Sequence, residues 1–281
     1  MSNTTELKSF HYYENNEIGF SSLDTVKSTK TLEAGVYDIS YLEHPDNRVL
    51  VELNTNIKKP KEHNYPDRDK IELLLKTFFN KDVKKEISSL GFYHKVGILL
   101  YGDEGTGKST IIKKLYSEYI ESNNVLVFHI NSQNYKIKDC WEFISKVRAI
   151  QDNPIVIVFE EMDVLIKQDL ESRLKMMLDG NLSIDNCIVF GTTNYISMIP
   201  DAIKNRASRF KYCIKIEGIQ SEDDVYKILY AMINKLHSEN EIIEFSKELK
   251  GKTLDTIKQF AIDKIMNIDS YNISKDKKLG F

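Results

Sequence analysis

The chain has 281 residues, of which 41% are apolar and 29% charged, and its formal net charge is −3. That balance belongs to a globular protein of one or two domains with a sizeable core. It gives no reason to expect a polyanion held by bulk charge, although a locally basic channel stays open. Three widely spaced cysteines, Cys140, Cys187 and Cys213, match no metal-ligand spacing and read as small core residues of a reducing compartment. The N-terminal MSNTTELKSF has no charged-then-apolar signal pattern, and no uninterrupted apolar run approaches membrane length, so the expectation is a cytoplasmic protein with no membrane partner.

Residues 1–30 are polar and weakly patterned. Two strand-like runs follow, GVYDISYL (35–42) and RVLVEL (48–53), separated by the turn-like EHPDN. They predict a hairpin or small β unit. Residues 54–70 hold two of the five prolines and many charges and read as a linker, after which IELLLKTFF (71–79) has helical spacing.

From Val96 the rhythm becomes strand, loop, helix. Apolar runs recur at 96–101, 125–130, 155–159, 187–191 and 212–216, with helical spacing between them, as in TIIKKLYSEYI (110–120) and CWEFISKVRAI (140–150). Continuous apolar runs predict strands covered on both faces, and alternation with helices predicts parallel βαβ units. After Gly218 the strand signal stops. SEDDVYKILYAMINKL opens with a Ser-x-x-Asp that resembles a capping box, and two further amphipathic segments complete a helical module. The tail SKDKKLGF carries no pattern.

Gly102-x4-Gly107-Lys108-Ser109 fits the P-loop pattern, and it follows a predicted strand and precedes a predicted helix. Glycines let the backbone wrap close to phosphate oxygens, and backbone N–H groups with the helix N-terminus supply positive potential. The candidate nucleotide-binding residues are Gly102, Asp103, Glu104, Gly105, Thr106, Gly107, Lys108, Ser109 and Thr110. Lys108 is expected to reach the β- and γ-phosphates and Ser109 to ligate Mg²⁺. Backbone groups make such a cradle, so Asp103 and Glu104 are expected to face solvent rather than repel the nucleotide. A second signal follows the run 155–159. There Glu160 is the candidate metal carboxylate and Glu161 the candidate base that orients or deprotonates water.

The blocks GILLYGDEGTGKST, LKMMLDG, IVIVFEEMD and IVFGTTNYISMIPDAIKNRASRF together resemble the signature blocks of the AAA family of ATPases, over about residues 90–265. The acidic pair with Glu first, and the short segment between the second and third strands, are more distantly similar to the mitochondrial Rieske-protein translocase branch; the membrane anchor of that branch is not expected here. The resemblance implies an α/β fold with a parallel five-stranded P-loop sheet, helices on both faces, a small C-terminal helical lid and an N-terminal β-containing region. It divides the chain into residues 1–68 (β-containing region and linker), 69–218 (α/β nucleotide-binding domain), 219–272 (lid) and 273–281 (tail). It also implies ATP and Mg²⁺ as ligands and assembly of identical chains into a ring, commonly a hexamer. Asn194 matches the sensor asparagine, and Arg206 and Arg209 match arginine fingers that serve the neighbouring subunit. The chain has no arginine after Arg209, so no second sensor arginine is available from the lid.

Tyr135 stands where the family often carries a pore-loop aromatic, but the surrounding pattern differs and a plain loop role is equally open. His129, inside a predicted strand, is expected to pack; Trp141 is expected in the core or at an interface. Three functions remain in view: an ATPase that remodels a protein or nucleoprotein partner, a clamp-loader-like ATPase associated with DNA, and a nucleotide-gated assembly module with little turnover.

Overall fold

The computed structural model describes residues 9–13, 17–22, 25–29, 31–42, 48–54, 68–130, 137–167, 171–179, 182–204, 206 and 208–267. Tyr135, the tail and most of the expected linker lie outside them. Contacts divide the chain into two units, one made of residues 1–60, 70–101 and 109–215 and the other of residues 61–69, 102–108 and 216–281.

The first unit is built on one sheet. Its described strands are β1 (Ser9–Tyr13), β2 (Glu17–Ser22), β3 (Thr25–Thr29), β4 (Gly35–Leu42), β5 (Arg48–Leu53), β6 (Lys95–Tyr101), β7 (Leu126–Ile130), β8 (Ile155–Phe159), β9 (Cys187–Thr193) and β10 (Tyr212–Lys215), in the order β10-β6-β9-β8-β7-β4-β5-β1-β2-β3. The first five in that order are mutually parallel, as expected. The sheet is nevertheless wider than five strands. β4 pairs in parallel with β7, from Gly35↔Leu126 to Ile39↔Ile130. β5 then returns antiparallel, and β1, β2 and β3 extend the edge. The predicted hairpin at 35–53 is therefore present, but it is fused to the parallel sheet. The unpaired backbone groups on the outer edge of β7 are what β4 satisfies. Residues 9–29, polar and weakly patterned in the sequence, contribute three strands. Ser- and Thr-rich segments such as TVKST are held by pairing with their neighbours more than by apolar alternation.

The described helices are α1 (Arg68–Phe78), α2 (Lys81–Ser89), α3 (Lys108–Asn123), α4 (Ile137–Ile150), α5 (Met162–Lys167), α6 (Glu171–Asp179), α7 (Glu222–Ile233), α8 (Glu239–Leu249) and α9 (Leu254–Ile265). Helix α2 carries no buried residue, and Asn80 caps it by accepting from the Asp82 and Val83 amides.

Both faces of the central strands are covered, which explains their continuous apolar runs. Leu99, Ile155, Ile157, Phe159, Cys187 and Val189 join one core cluster with Trp141, Ile144 and Val147 of α4 and Leu174 and Met177 of α6. The alternating residues Ile98, Leu100, Val156, Val158, Ile188 and Phe190 are equally buried and point to the opposite face, because side chains alternate along a strand. On that second face His129 Nε2 lies 3.1 Å from the Tyr116 hydroxyl of α3. Trp141 is a core residue. It is fully buried, stacks on Phe159 and donates from Nε1 to the Leu182 carbonyl at 2.6 Å. Cys140 and Cys187 are buried and Cys213 half-buried, all as free thiols.

The second unit contains the helical module. Ser221 caps α7 by accepting from the Asp224 amide, Ser238 and Glu241 form a full capping box on α8, and Thr253 caps α9. Val225, Ile228, Leu229, Ile242, Leu254 and Ile257 are buried inside it. A short backbone ladder, Gly251 N to Ile219 O and Ile219 N to Lys252 O, ties its first segment to the turn before α9. The same unit takes in residues 61–69 and the loop 102–108.

His94 is buried at the start of β6, stacked on Phe78 with ring centroids 4.2 Å apart, and its Nε2 lies 2.8 Å from the Phe78 carbonyl. Burial lowers its pKa, and the opposing pull of the Phe78 carbonyl and Asp185 does not restore it. The unfolded chain therefore takes up this proton first, near pH 6.5. Stability contributed by neutral His94 is present above that value and is lost as the pH falls through the lower folded value. The melting temperature is expected to drop between pH 7.5 and 5.5. His94→Gln, which cannot titrate, should show a shallower drop in calorimetric scans at matched pH values.

Candidate nucleotide site

The phosphate loop runs from the end of β6 to the start of α3, with three glycines at positive φ: Gly102 at 145°, Gly105 at 74° and Gly107 at 94°. Such angles strain any residue with a Cβ. At Gly102 space forbids one as well, since an added Cβ would sit 2.1 Å from the Ile216 carbonyl oxygen. Thr106 Oγ1 closes the loop by donating to the Asp103 carbonyl at 2.9 Å. Buried Lys108 donates from Nζ to the carbonyls of Gly102 and Asp103, both at 2.8 Å. Asp103 and Glu104 are exposed, which agrees with the outward orientation expected of them. Within the same unit the first turn of α9 meets the loop, where the Asp255 amide donates to the Gly105 carbonyl at 3.0 Å. Ser109 and Thr110 are half-buried in the first turn of α3.

The remaining candidates lie in the sheet unit, at the C-terminal ends of its parallel strands. Pairing sets Tyr101 of β6 against Thr193 of β9, and Phe159 of β8 against Gly191 of β9. The strand that feeds the loop is thus flanked by β9, which leads to Asn194, and β9 in turn by β8, which leads to Glu160 and Glu161. Glu160 is half-buried, and its Oε1 is buried without a hydrogen-bond partner among the described residues. A carboxylate oxygen in that state fits an added cation or its water. Glu161 is exposed and sits at φ 53°, in the left-handed region, with its amide donating to Thr192 Oγ1 at 3.2 Å. Its carbonyl accepts from the Val164 and Leu165 amides and so starts α5. A glutamate in that conformation is uncommon, and neighbouring contacts fix it. The exposed Asn194 is set between two anchors. Thr193 Oγ1 donates to buried Asp163 at 2.6 Å and accepts from the Tyr195 amide at 3.0 Å.

A cavity of about 510 Å³ opens beside the acidic pair, lined by Glu160, Glu161, His129, Tyr116, Lys113 and Asp38 among others. His129 is half-buried rather than fully packed. Burial lowers its pKa, and the nearby Glu160 and Asp38 carboxylates offset this only in part. Sequence reasoning missed Tyr116 and Asp38 as neighbours of Glu160. The histidine in the otherwise apolar VLVFHI was the available signal.

The two arginines are not equivalent. Arg206 is exposed, with 59% of its side chain accessible, whereas Arg209 is 6% accessible. Arg209 makes a two-pronged ion pair with Asp179, at 2.8 Å from Nε and 3.0 Å from Nη2, and its Nη1 donates to the Ala202 carbonyl. Asp179 carried no role in the sequence reading, although it lies in the LDG of the family-like block. Burial by itself would raise its pKa. Hydrogen bonds from Arg209 and Ser208, with the charges of Arg209 and Arg206, outweigh this and hold it below the usual carboxylate value.

A strand ending in a turn of three positive-φ glycines, followed by a helix that begins at lysine, defines the class of P-loop nucleotide-binding proteins. Residues 98–217 match the family described as "ATPase family associated with various cellular activities (AAA)". The chain is 24% identical to the vesicular-fusion protein SEC18 of Saccharomyces cerevisiae over 65% of this chain and 28% of that one. It is 28% identical to the cell division control protein 48 homolog B of Arabidopsis thaliana over 54% of this chain and 28% of that one. A proteasome-associated ATPase of Catenulispora acidiphila is 30% identical, over 55% of this chain and 30% of that one. The chain thus spans under a third of the length of these relatives. No described helix is long and apolar enough to cross a membrane.

Gly102→Ala should destabilise the protein by roughly 2–4 kcal/mol, the combined scale of a strained φ and an overpacked backbone contact. Urea unfolding would measure this, and a fluorescent ATP analogue should lose binding in the same variant.

Proposed function

We propose that this chain is the ATP-hydrolysing subunit of a homo-oligomeric ring, expected to be a hexamer, that remodels or translocates a protein or nucleoprotein partner in the cytoplasm. The observation that carries the reading is the strand register at the sheet's C-terminal end. It sets the strand that leads to Asn194 beside the strand feeding the glycine loop, and the strand that leads to Glu160–Glu161 next beyond it.

In this reading the loop amides from Gly105 to Lys108 bind the phosphates, and the Lys108 ammonium moves from loop carbonyls to phosphate oxygens. Ser109 and Glu160 would hold Mg²⁺, Glu160 through water, and the cation would neutralise phosphate charge. The orphaned Oε1 of Glu160 supports that assignment. Glu161 accepts a proton from the attacking water, and its fixed left-handed backbone favours a constant approach. Asn194, with both a donor and an acceptor on its amide, aligns that water. An arginine from the adjoining subunit offsets the charge that builds on the transferring phosphoryl oxygens. Catalysis is then mainly positioning and electrostatics. The names of the relatives, which include vesicle fusion and proteasome association, support a protein partner, and the free thiols support a reducing compartment.

The test is Glu161→Gln. It keeps the side chain's size and removes the base, so ATP binding should persist while steady-state phosphate release falls about a hundredfold or more. Unchanged turnover would remove Glu161 from the role. Affinity capture with this variant and ATP should retain the ring and its partner.

A further inference from the structure

We propose that Thr192 is the positioning residue of Glu161: through one side-chain hydrogen bond it sets the backbone angle from which the base reaches the attacking water. This rests on the functional reading above, in which Glu161 is the base.

Successive residues of β9 each hold one residue of the segment that follows β8. Parallel register sets Phe159 level with Gly191, so the two chains continue side by side. Gly191 makes room for Met162, since an added Cβ would stand 2.3 Å from the Met162 Sδ. Thr192 Oγ1 accepts from the Glu161 amide at 3.2 Å, and Thr193 Oγ1 donates to Asp163 at 2.6 Å. Met162 and Asp163 are buried, so Glu161, itself exposed, is followed by two anchored residues. Its φ of 53° is one that a residue with a Cβ keeps only when its surroundings impose it. That torsion turns about the bond from the amide nitrogen to Cα. The carbonyl end of the residue is fixed by the Val164 and Leu165 amides in the first turn of α5. Thr192 fixes the nitrogen end. Without its hydroxyl the Glu161 amide loses that acceptor, and φ relaxes toward the common negative range. Rotation there swings the Cα–Cβ direction and carries the carboxylate with it. Thr192 is buried, and the bonds that close the phosphate loop do not involve it, so its effect runs through Glu161.

The experiment measures ATP affinity and steady-state phosphate release in Thr192→Val and Thr192→Ser, each alone and combined with Glu161→Gln. Valine keeps the shape and removes the acceptor, whereas serine keeps the acceptor. Thr192→Val should bind ATP within about twofold of the unaltered protein and lose kcat about tenfold or more, while Thr192→Ser stays within about twofold in both. Once the carboxylate is gone there is nothing left to position, so adding Thr192→Val to Glu161→Gln should lower turnover no further. Thr192→Ala removes the same acceptor and serves if Thr192→Val does not fold. Full turnover in Thr192→Val overturns the proposal. So do equal losses in the valine and serine variants, or a second full loss added on top of Glu161→Gln, because each marks a structural defect that does not act through Glu161. If Glu161→Gln alone keeps full turnover, the base assignment itself fails and the proposal falls with it.

Discussion

Strands β6, β8 and β9 have no exposed face. Leu99 and Ile98, Ile157 and Val158, Val189 and Phe190 point to opposite sides and all are buried, so the polar chemistry of these segments is confined to where the strands stop. Parallel pairing then fixes which stops are neighbours. Because Tyr101 is level with Thr193 and Phe159 with Gly191, the segments that follow emerge at one end of the sheet. A shift by one residue would exchange the side chains packed against the two covering layers, so the fit of each face to its own layer holds the register.

The loop after β6 depends on backbone rather than side chains. Its turn needs three residues at positive φ, and its closing bonds run to carbonyl oxygens of Gly102 and Asp103. Two acids occupy its variable positions, Asp103 and Glu104, and both are exposed. The contact between the loop and α9, from the Asp255 amide to the Gly105 carbonyl, is likewise made by main-chain atoms and leaves no residue signature.

Charge is handled differently at each part of the candidate site. Lys108 is satisfied by dipoles, Arg209 by a matched carboxylate, and the inner oxygen of Glu160 by no described group. An unpaired buried acceptor costs stability unless something arrives to bind it. Arg206 is a contrasting case, an exposed cation whose longer ion pair with Asp179, at 3.6 Å, is kept in solvent at little cost. A site that must bind and release a charged ligand can be built from such uneven satisfaction, because fully paired groups would have no reason to exchange partners.

Much of this was legible in the chain alone. The five parallel strands, the glycine turn and the three C-terminal helices follow from local signals: continuous apolar runs, glycine spacing and Ser or Thr caps. So do the positions of Glu160, Glu161 and Asn194, because each lies just past a strand whose end the sequence marks. The widening of the sheet by β4 and β5 was not legible, because pairing of β4 with β7 joins residues about ninety apart and leaves no pattern in either. The polar strands β1–β3 were hidden for a related reason, their order coming from edge pairing rather than an apolar stripe. The difference between Arg206 and Arg209 also required tertiary structure. The spacing Arg-x-x-Arg is symmetric in chemistry, and only the approach of Asp179, some thirty residues earlier, makes one a buried strut and leaves the other exposed.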